Sequence, residues 1–413
     1  MKRIVHVLHG HPTEAMGGTG LYVQALSQAL ASMGHTVAIT SPDNEGPTRQ
    51  LPNEGGVEIW RIATPAMRRW EDTWNGPTSA WQDWCRDWRP DAAHIHHLSG
   101  WPLDLIEATP CKTVLTLHDY AIPCARGQLL TEAMSLCSGP TEEACSACLA
   151  PALKSNPLIH WGARMLARAP ALYTLARRQA SKGPQRAHPS VTNRIKAAKR
   201  AMAAADCVLS PSQDLADRFI GWGLATPRLT ELPLVRPTLP VTAPDPGPVR
   251  FLYASSIIPS KGVDTLLECF AQLHGNATLT IAGHAPCFDG HPGFADRLKR
   301  RARALQGVDW VGAIPSHEVP ALMSQHDALV LPSIWPENSP LVVREATAQG
   351  LPIIGPALGG CGELAPQALR VSNADELLAA MKSVCSDGRT RMPAQQWPSP
   401  SEHAQHLLTN AYA

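Results

Sequence analysis

The chain has 413 residues, of which 44% are hydrophobic and 17% are charged. This composition is typical of a globular protein of two or three domains and excludes a largely disordered chain. The formal net charge of +1 argues against a nucleic-acid partner, and no apolar run of about 18 residues could span a membrane. The first residues carry too short an apolar run for a signal peptide. We therefore expect a cytoplasmic protein whose eleven cysteines are thiols or metal ligands.

Short apolar segments alternate with helical patterns in the first half of the chain. Predicted strands cover Ile4–Leu8, Val37–Thr40, Ala92–His96, Thr113–Leu117 and Cys207–Ser210. A glycine-containing loop, His11–Gly20, precedes a predicted helix over Leu21–Met33. This alternation is typical of a doubly wound parallel sheet.

A segment with five prolines, Val235–Val249, separates this unit from a second one of the same kind. Predicted strands there are Val249–Ala254, Thr278–Ala282, Asp309–Val311, Ala328–Leu331 and Pro352–Gly355. Predicted helices are Gly262–Leu273, Asp296–Leu305, Val319–His326 and Leu341–Gln349. We predict two α/β domains, residues 1–236 and 249–395, followed by a terminal helix within residues 396–413.

Residues 144–205 contain no Asp or Glu but eleven Lys and Arg residues, together with a helical apolar pattern. We interpret residues 151–205 as a basic helical insert suited to an anionic surface such as the inner face of the membrane. A solvated helical insert is the equally weighted alternative. A tryptophan-rich helical face at Trp81, Trp84, Cys85 and Trp88 favours core packing over a ligand platform.

The strongest chemical pattern is a pair of glutamates, Glu337 and Glu345, separated by seven residues across a predicted loop-to-helix junction. Pro340 favours the first turn of that helix, whose free amide groups would form an anion site. Lys261 follows a strand of the same sheet and adds a cation suited to a diphosphate. Carboxylates on both sides of a diphosphate site suit a nucleotide sugar. Two surface glutamates, a helix cap and a solvated lysine are the ordinary alternative.

The chain resembles the retaining glycosyltransferases of family 4, which have the two-domain GT-B fold. The second half carries KGVDTLL, IAGHAP, VDWVGAI, HDALVLPS, ENSPLVVRE and ATAQGLPII, followed by GG at 359–360. The first half carries HPTEAMGGTGLYVQALSQALASMGHTV and ADCVLSPSQDLADRFIGWG. The resemblance implies two Rossmann-like parallel-sheet domains that face each other across a cleft. Domain 1–236 would bind the acceptor, domain 249–395 the nucleotide sugar, and the terminal helix would pack back on the first domain.

The resemblance also implies roles for individual residues. The catalytic residues would be His118, Lys261 and Glu337. The donor-binding residues would be Gly17, Gly18, Lys261, Gly283, Gly312, Glu337, Asn338, Ser339, Leu341, Val342 and Glu345. Glu337 would contact the donor sugar, Lys261 and the amides of 339–342 the diphosphate, and Glu345 the ribose. Gly283 and the segment 311–314 would approach the base, and His118 would lie near the transferred sugar. A plain strand-end histidine is the alternative for His118.

Two positions depart from the family pattern. Ser256 stands five residues before Lys261, where family members usually have an arginine, so one cation for the diphosphate is missing. Asn338 and Ser339 replace a frequent Phe-Gly pair and resemble a family variant. The missing arginine puts the affinity for the donor in question more than the class of reaction.

Four cysteines, Cys124, Cys137, Cys145 and Cys148, lie within an insert at residues 120–150. Their spacing, C-x12-C-x7-C-x2-C, is typical of a tetrahedral thiolate site. We predict a structural zinc ion there, in preference to an iron–sulfur cluster or to unliganded redox thiols. The insert begins shortly after His118, at the rim of the expected cleft.

The predicted function is transfer of a sugar from a UDP- or GDP-sugar to an acceptor with retention of configuration, without a catalytic metal. The acceptor would be a glycan, a lipid-linked molecule or a small molecule, in cell-surface polysaccharide, glycolipid or natural-product glycoside synthesis. The alternatives are a GT-B-fold isomerase of nucleotide sugars and a non-catalytic nucleotide-sugar-binding protein. Consumption of donor without an acceptor would favour the isomerase, and absence of turnover would favour the binding protein.

Overall fold

The computed structural model describes residues 1–10, 17–64, 73, 75–131, 133–153, 187–239, 247–273, 275, 277–286, 291, 293–386 and 391–413. The strands of the first sheet are β1 (Arg3–Val7), β2 (Thr36–Asp43), β3 (Arg49–Glu54), β4 (Val57–Ala63), β5 (Ala92–Ile95), β6 (Lys112–Thr116), β7 (Cys207–Ser210) and β8 (Arg228–Leu229). Those of the second are β9 (Val249–Ala254), β10 (Ala277–Ala282), β11 (Val308–Gly312), β12 (Ala328–Val330), β13 (Ile353–Pro356) and β14 (Leu369–Val371).

Helices connect most of these strands. Those of the first half are α1 (Gly18–Ser32), α2 (Ser79–Trp88), α3 (Leu105–Ala108), α4 (Glu142–Leu153), α5 (Pro189–Ala204) and α6 (Gln213–Gly221). Those of the second half are α7 (Val263–Phe270), α8 (Phe294–Arg303), α9 (Val319–Ser324), α10 (Leu341–Ala348), α11 (Cys361–Leu364), α12 (Ala374–Ser386) and α13 (Pro400–Asn410). Single 3₁₀ turns occupy Pro259–Lys261 and Ser316–Glu318.

The first sheet has the order β3-β4-β2-β1-β5-β6-β7-β8 and is parallel except for β3. The central strands are almost entirely buried and mostly apolar because helices cover both faces. The hairpin of β3 and β4 was not predicted from the sequence, and it makes the sheet mixed rather than wholly parallel. The reason is that β3 is a mostly exposed edge strand with a polar sequence, so it carries no apolar pattern.

The second sheet has the order β11-β10-β9-β12-β13-β14, and all its strand pairs are parallel. Its core is formed by residues such as Phe251, Leu279 and Leu329, which are fully buried. In each sheet most parallel strands are connected through a helix, and the carboxyl ends of the parallel strands lie at one edge.

The second part of the basic segment is a core helix and not a surface insert. Helix α5 precedes β7 and buries Val191, Ala197 and Ala201 against the first sheet. Buried Arg194 donates hydrogen bonds to the carbonyls of residues 121, 122 and 123, at 2.7, 3.0 and 3.2 Å. The prediction of a helical insert through residue 205 is therefore wrong for Pro189–Ala204, because its alanine-rich apolar face packs inward. Residues 154–186 lie outside the described part of the chain.

The C-terminal helix α13 packs against α1 and buries Ala404 and Leu407 in the core of the first domain. Beyond it, the hydroxyl of Tyr412 lies 2.6 Å from His94 Nδ1, and Lys2 Nζ donates to the Tyr412 carbonyl at 2.6 Å. The tryptophans of α2 stack on one another inside the first domain. Among the described residues, none of the helices is long and apolar enough to span a membrane.

Candidate functional site

The two domains contact each other through residues that follow the strands of their sheets, and we call this contact region the joint. Asn338 Nδ2 donates to the carbonyl of His118 at 2.9 Å, and Tyr120 Oη donates to the carbonyl of Pro336 at 3.4 Å. On the side of α6, the backbone amides of Gln213 and Asp214 donate to the Glu363 carboxylate at 2.7 and 2.8 Å. The joint therefore includes Asn338, predicted as donor-binding, and His118, predicted as catalytic.

Lys261 and Glu337 form an ion pair at this edge of the second sheet. Lys261 Nζ lies 2.5 Å from Glu337 Oε1, and Ser333 Oγ donates to the same oxygen at 2.5 Å. The Glu337 side chain is 4% exposed and that of Lys261 is 13% exposed. A pair this well shielded from water interacts much more strongly than a surface pair. The ammonium group also lies 5.1 Å from the centroid of the Trp335 ring, which orients it.

Glycines allow the backbone to approach this pair closely. Gly262, directly after Lys261, has φ +67°, and a Cβ there would lie 2.0 Å from the carbonyl oxygen of Pro332. A Cβ at Gly359 would lie 2.4 Å from the carbonyl oxygen of Glu337. Both positions require glycine because any side chain would collide with backbone. The Gly359–Gly360 pair is therefore part of the structure that holds Glu337, and the Gly360 amide donates to the Glu337 carbonyl at 2.7 Å.

Helix α10 begins at Leu341 and points its first turn at the start of α1. Gly17 is the N-cap of α1, and a Cβ added at Gly18 would lie 3.4 Å from the Leu341 side chain. Ser339 Oγ accepts a hydrogen bond from the buried Arg344 guanidinium, and Val342 is half-buried in the first turn. The structure thus brings the glycines of the first domain beside the N-terminus of α10, where anions bind favourably.

Glu345 is buried and bound on both oxygens by Arg236 of the interdomain linker. Arg236 Nε lies 2.5 Å from Glu345 Oε1, and Arg236 Nη2 lies 2.6 Å from Glu345 Oε2. Arg236 also donates to the carbonyl of Ser316 at 2.8 Å. Burial raises the pKa of Glu345 against the opposing effect of Arg236. Each Glu345 oxygen accepts one hydrogen bond from Arg236 and retains a second lone pair. A ligand hydroxyl can donate to this lone pair only if it reaches the buried carboxylate.

Gly283 and Gly312 lie together at the ends of β10 and β11. The amide of Gly283 donates to the carbonyl of Gly312 at 2.7 Å. A Cβ at Gly283 would lie 1.8 Å from the carbonyl oxygen of Ser255, so the backbones of residues 255 and 283 pack directly on each other. The position that lacks the usual arginine, Ser256, is half-exposed beside this contact.

His118 follows β6 and lies at the end of a row of histidines. Its Nε2 is 3.1 Å from His96 Nδ1, and His96 Nε2 is 3.0 Å from His6 Nδ1. Burial lowers the pKa of His118 and of His6 to about 3 and places that of His96 well below its usual value. All three are therefore neutral imidazoles near pH 7.

A second pair, His97 and Asp119, lies on the neighbouring residues. His97 Nε2 is 2.7 Å from Asp119 Oδ2. Burial alone would lower the pKa of His97, but the Asp119 carboxylate raises it. Burial alone would likewise raise the pKa of Asp119, and His97 holds it below its usual value. The pKa of His97 is thus raised, whereas that of the nearby His118 is lowered.

The four cysteines surround a small hairpin and the start of α4. Cys124 and Cys137 flank a pairing of Leu130 with Leu136, and Cys145 and Cys148 lie on α4. The Gly139 amide lies 3.5 Å from Cys137 Sγ. Burial, and then the three other thiols, raise the pKa of Cys145 to about 11. Within the described ranges, the group whose ligand atoms lie within 4.8 Å of one another is His6, His94 and His96, and the cysteines do not form such a group.

Sequence reasoning missed Arg236, His96 and the His97–Asp119 pair. The two histidines could have been found by the rule that selected His118, since they follow the adjacent strand β5 at the same sheet edge. Arg236 lies among linker prolines and carries no such signal.

Two family models match the chain. "Glycosyltransferase Family 4" matches residues 16–233, and "Glycosyl transferases group 1" matches residues 239–396. A curated relative, glycogen synthase of Mycobacterium tuberculosis (strain ATCC 25618 / H37Rv), is 27% identical over 385 residues, which cover 87% of this chain and 79% of that protein.

Solved structures share the fold over almost the entire chain. Sucrose-phosphate synthase from Thermosynechococcus elongatus has a TM-score of 0.66 at 18% identity, with 98% of this chain and 95% of that chain covered. Anabaena Alr3699/HepE in complex with UDP-glucose has a TM-score of 0.57 at 13% identity, with 100% and 96% covered. The E. coli structure described as trehalose-6-phosphate bound with UDP-2-fluoro glucose has a TM-score of 0.60 at 12% identity, with 99% and 96% covered. These likenesses confirm the predicted two-domain GT-B architecture.

Proposed function

This chain belongs to glycosyltransferase family 4, and on that premise we propose that it transfers a sugar from a nucleotide-sugar donor to an acceptor with retention of anomeric configuration. The family makes the chain a glycosyltransferase that uses nucleotide-sugar donors. The observation that carries the finer proposal is the shielded Lys261–Glu337 pair at the N-terminus of α10, opposite His118. This arrangement offers a cation, a carboxylate and free helix amides to the two ends of a sugar diphosphate.

The diphosphate would lie between the start of α10 and the glycines that begin α1. Lys261 supplies the positive charge, and Gly17 and Gly18 admit the phosphates without side chains in the way. Without an arginine at position 256, Lys261 is the cation that this chain provides at the expected place. We expect the charge that develops on the departing diphosphate to be stabilised mainly by Lys261 and by the α10 amides.

The donor sugar would occupy the space between Glu337 and His118. The Glu337 carboxylate accepts hydrogen bonds from Lys261 and Ser333, so it is oriented before the sugar binds, and the Gly360 amide holds the Glu337 backbone. Asn338 joins this segment to the His118 carbonyl, so donor binding and domain closure involve the same residues. Positioning of this kind can supply much of the rate acceleration of a transfer reaction.

In the retaining reaction, the acceptor hydroxyl would attack the same face from which the diphosphate leaves, and a phosphate oxygen would take the acceptor proton. Neutral His118 supplies no positive charge near the reacting carbon, whereas Lys261 does so at the leaving group. Glu345, clasped by Arg236, would present its remaining lone pairs to the ribose. The acceptor would approach from the first domain, past the rim formed by residues 120–150.

The donor can be identified by the rise in melting temperature that a panel of UDP- and GDP-sugars produces, beginning with UDP-glucose. The active donor is then tested for release of nucleotide with and without acceptors. Glu337→Gln should abolish transfer, whereas Glu318→Gln, an exposed control, should leave it unchanged. Transfer at the wild-type rate by the Glu337 variant contradicts the assignment. Donor loss without an acceptor would favour an isomerase, and inversion of the product would contradict retention.

We also propose that the four cysteines hold one structural zinc ion. The chemistry of the donor set suits zinc, because four thiolates in a chain segment with few large apolar residues are typical of small zinc modules. Cys145 interacts electrostatically with the three other thiols, although the sulfur atoms are not within 4.8 Å of one another as a group, so metal binding would require them to move closer together. The ion would stabilise the rim of the acceptor site and have no part in the transfer step.

The proposal that the basic segment meets an anionic membrane surface now rests on residues 154–186. Of the eleven basic residues, Arg194 is buried and Arg200 pairs with Asp104 and Glu107. Co-sedimentation with vesicles containing anionic lipid at low salt would support a lipid-linked acceptor. No sedimentation at low salt would leave a soluble glycan or small-molecule acceptor.

A further inference from the structure

Three histidines from three adjacent strands form a continuous chain of hydrogen bonds that ends at the cleft. His6 lies on β1, His96 directly follows β5, and His118 follows β6, and these strands are neighbours in the sheet. The nitrogen separations are 3.0 Å from His6 to His96 and 3.1 Å from His96 to His118. The sequence predicted a role for His118 alone.

The N–H groups of these three hydrogen-bonded histidines can all point in either of two directions. All three imidazoles are neutral, so each has one N–H and one bare nitrogen. In one direction every N–H points from His6 toward His118. In the other, every N–H points toward His6, and the last one is on His6 Nε2.

The interior end of the chain decides between these directions. His6 is fully buried, and its Nε2 has no hydrogen-bond partner within the described part of the chain. A buried N–H without an acceptor is more unfavourable than a buried acceptor without a donor. His6 therefore carries its proton on Nδ1 and donates to His96 Nε2. His96 is then protonated on Nδ1 and donates to His118 Nε2.

We infer that His6 and His96 are positioning residues that hold His118 as the Nδ1–H tautomer, so that His118 acts toward the substrates as a hydrogen-bond donor and not as a base. The action of His118 on substrates rests on the proposed function, whereas the tautomer of His118 does not. With Nε2 occupied by His96, Nδ1 is the nitrogen of half-buried His118 that is left for the cleft. A neutral N–H there can bind a sugar hydroxyl and cannot take the proton of the acceptor.

His94 lies beside this chain but is not part of it. Its nitrogens are 2.6 Å from the hydroxyl of Tyr412 and 2.7 Å from that of Thr116, and its ring centroid is 4.0 Å from that of His96. Ligand atoms of His6, His94 and His96 lie within 4.8 Å of one another, so a metal ion is the competing explanation of the cluster. A metal would occupy the lone pairs that the hydrogen-bond chain uses, and the two arrangements therefore exclude each other.

The tautomer can be measured without substrate by NMR on full-length protein labelled with [¹⁵N]histidine. The nitrogen shifts of each ring are assigned by the signals lost in His118→Asn, His96→Asn and His6→Asn. We expect a protonated Nδ1 and a bare Nε2 on all three residues. A proton on His118 Nε2 in the wild-type protein overturns the inference. So does a stoichiometric metal ion that His6→Asn removes. Neither result bears on donor binding or transfer, which are measured separately.

Transfer kinetics provide the second test. His96→Leu removes the donor to His118 Nε2, and we expect kcat to fall about tenfold or more while KM for the donor stays within about twofold. In His96→Asn the side-chain amide can replace the Nδ1 donor, so most of the lost rate should return. Equal loss in both variants would indicate a merely structural role and contradict the inference. If the His96→Leu variant does not fold, the NMR measurement of the His118 tautomer in the wild-type protein still tests the inference.

Discussion

The buried histidines make a specific prediction about acid stability. His6, His94, His96 and His403 are each less than 4% exposed, and burial depresses the pKa of all four, to about 3 for His6 and about 4 for His403. The unfolded chain binds a proton on each near the ordinary pKa of 6.5, whereas the folded chain does not. Their contribution to stability is therefore present in full above pH 6.5 and is lost as the pH falls below it.

The expected size follows from proton linkage. In the first pH unit below 6.5, each such histidine removes about 1 kcal/mol from the free energy of unfolding, and the four together remove about 4 kcal/mol. This is a large part of the 5–15 kcal/mol that is usual for a domain. His97 does not offset the loss, because its raised pKa places its own effect above pH 6.5.

Urea unfolding of the full-length protein over a pH series measures how the free energy of unfolding changes with pH. His403→Gln removes one of the four groups and keeps an amide that can bond to the Tyr22 hydroxyl, which lies 2.8 Å from His403 Nε2. The acid-induced loss should then shrink by about 1 kcal/mol over the same pH unit. Gln405→Ala, on the exposed face of the same helix, removes no titratable group, so it is the matched control and should keep the wild-type slope. A free energy of unfolding that is constant over this range would refute the reasoning.

Further predictions concern the joint and the cysteine insert. Lys261→Ala should raise the activation free energy obtained from kcat/KM by about 2–3 kcal/mol, because the leaving diphosphate loses its charge contact. Lys299→Ala, on the exposed face of α8, should leave kcat/KM unchanged. Arg236→Gln leaves the buried Glu345 carboxylate without its bidentate partner, so calorimetry should show destabilisation by about 3 kcal/mol together with a higher KM for the donor. An unchanged melting temperature would contradict a stabilising role of the Arg236–Glu345 ion pair. Elemental analysis should find about one zinc per chain, and less in Cys145→Ser, whereas full metal content in that variant would exclude the thiolate site.

Much of the fold follows from local pattern. Strands β7 and β9 begin and end where they were predicted to, because a parallel strand covered on both faces is mostly apolar. The edge strand β3 has no such requirement, and nothing in its polar sequence distinguishes it from a loop. Helix α5 was misjudged because an inward face made of alanines looks weakly apolar, while the basic residues on its outer face dominate the composition.

The residues of the site could be predicted where a local motif or the end of a strand marks them. Glu337, Pro340 and Glu345 lie within nine residues, and a helix start fixes their spacing. Arg236 lies in the interdomain linker, 109 residues before Glu345 of the second domain, so their pairing depends on how the linker runs along that domain. The histidine chain likewise depends on strand order, which places β5 between β1 and β6.

The joint between the domains is itself the part of the molecule that determines the chemistry. Asn338 and the neighbouring Glu337 belong to the second domain, yet the Asn338 amide bonds to the carbonyl of His118 in the first. Rotation of one domain against the other would break this hydrogen bond and move Glu337 relative to His118. Because Arg236 joins the linker to Glu345, the same rotation would also alter the surroundings of the Glu345 carboxylate. Donor binding and the relative position of the domains should therefore be coupled, with reciprocal effects on each other's free energy.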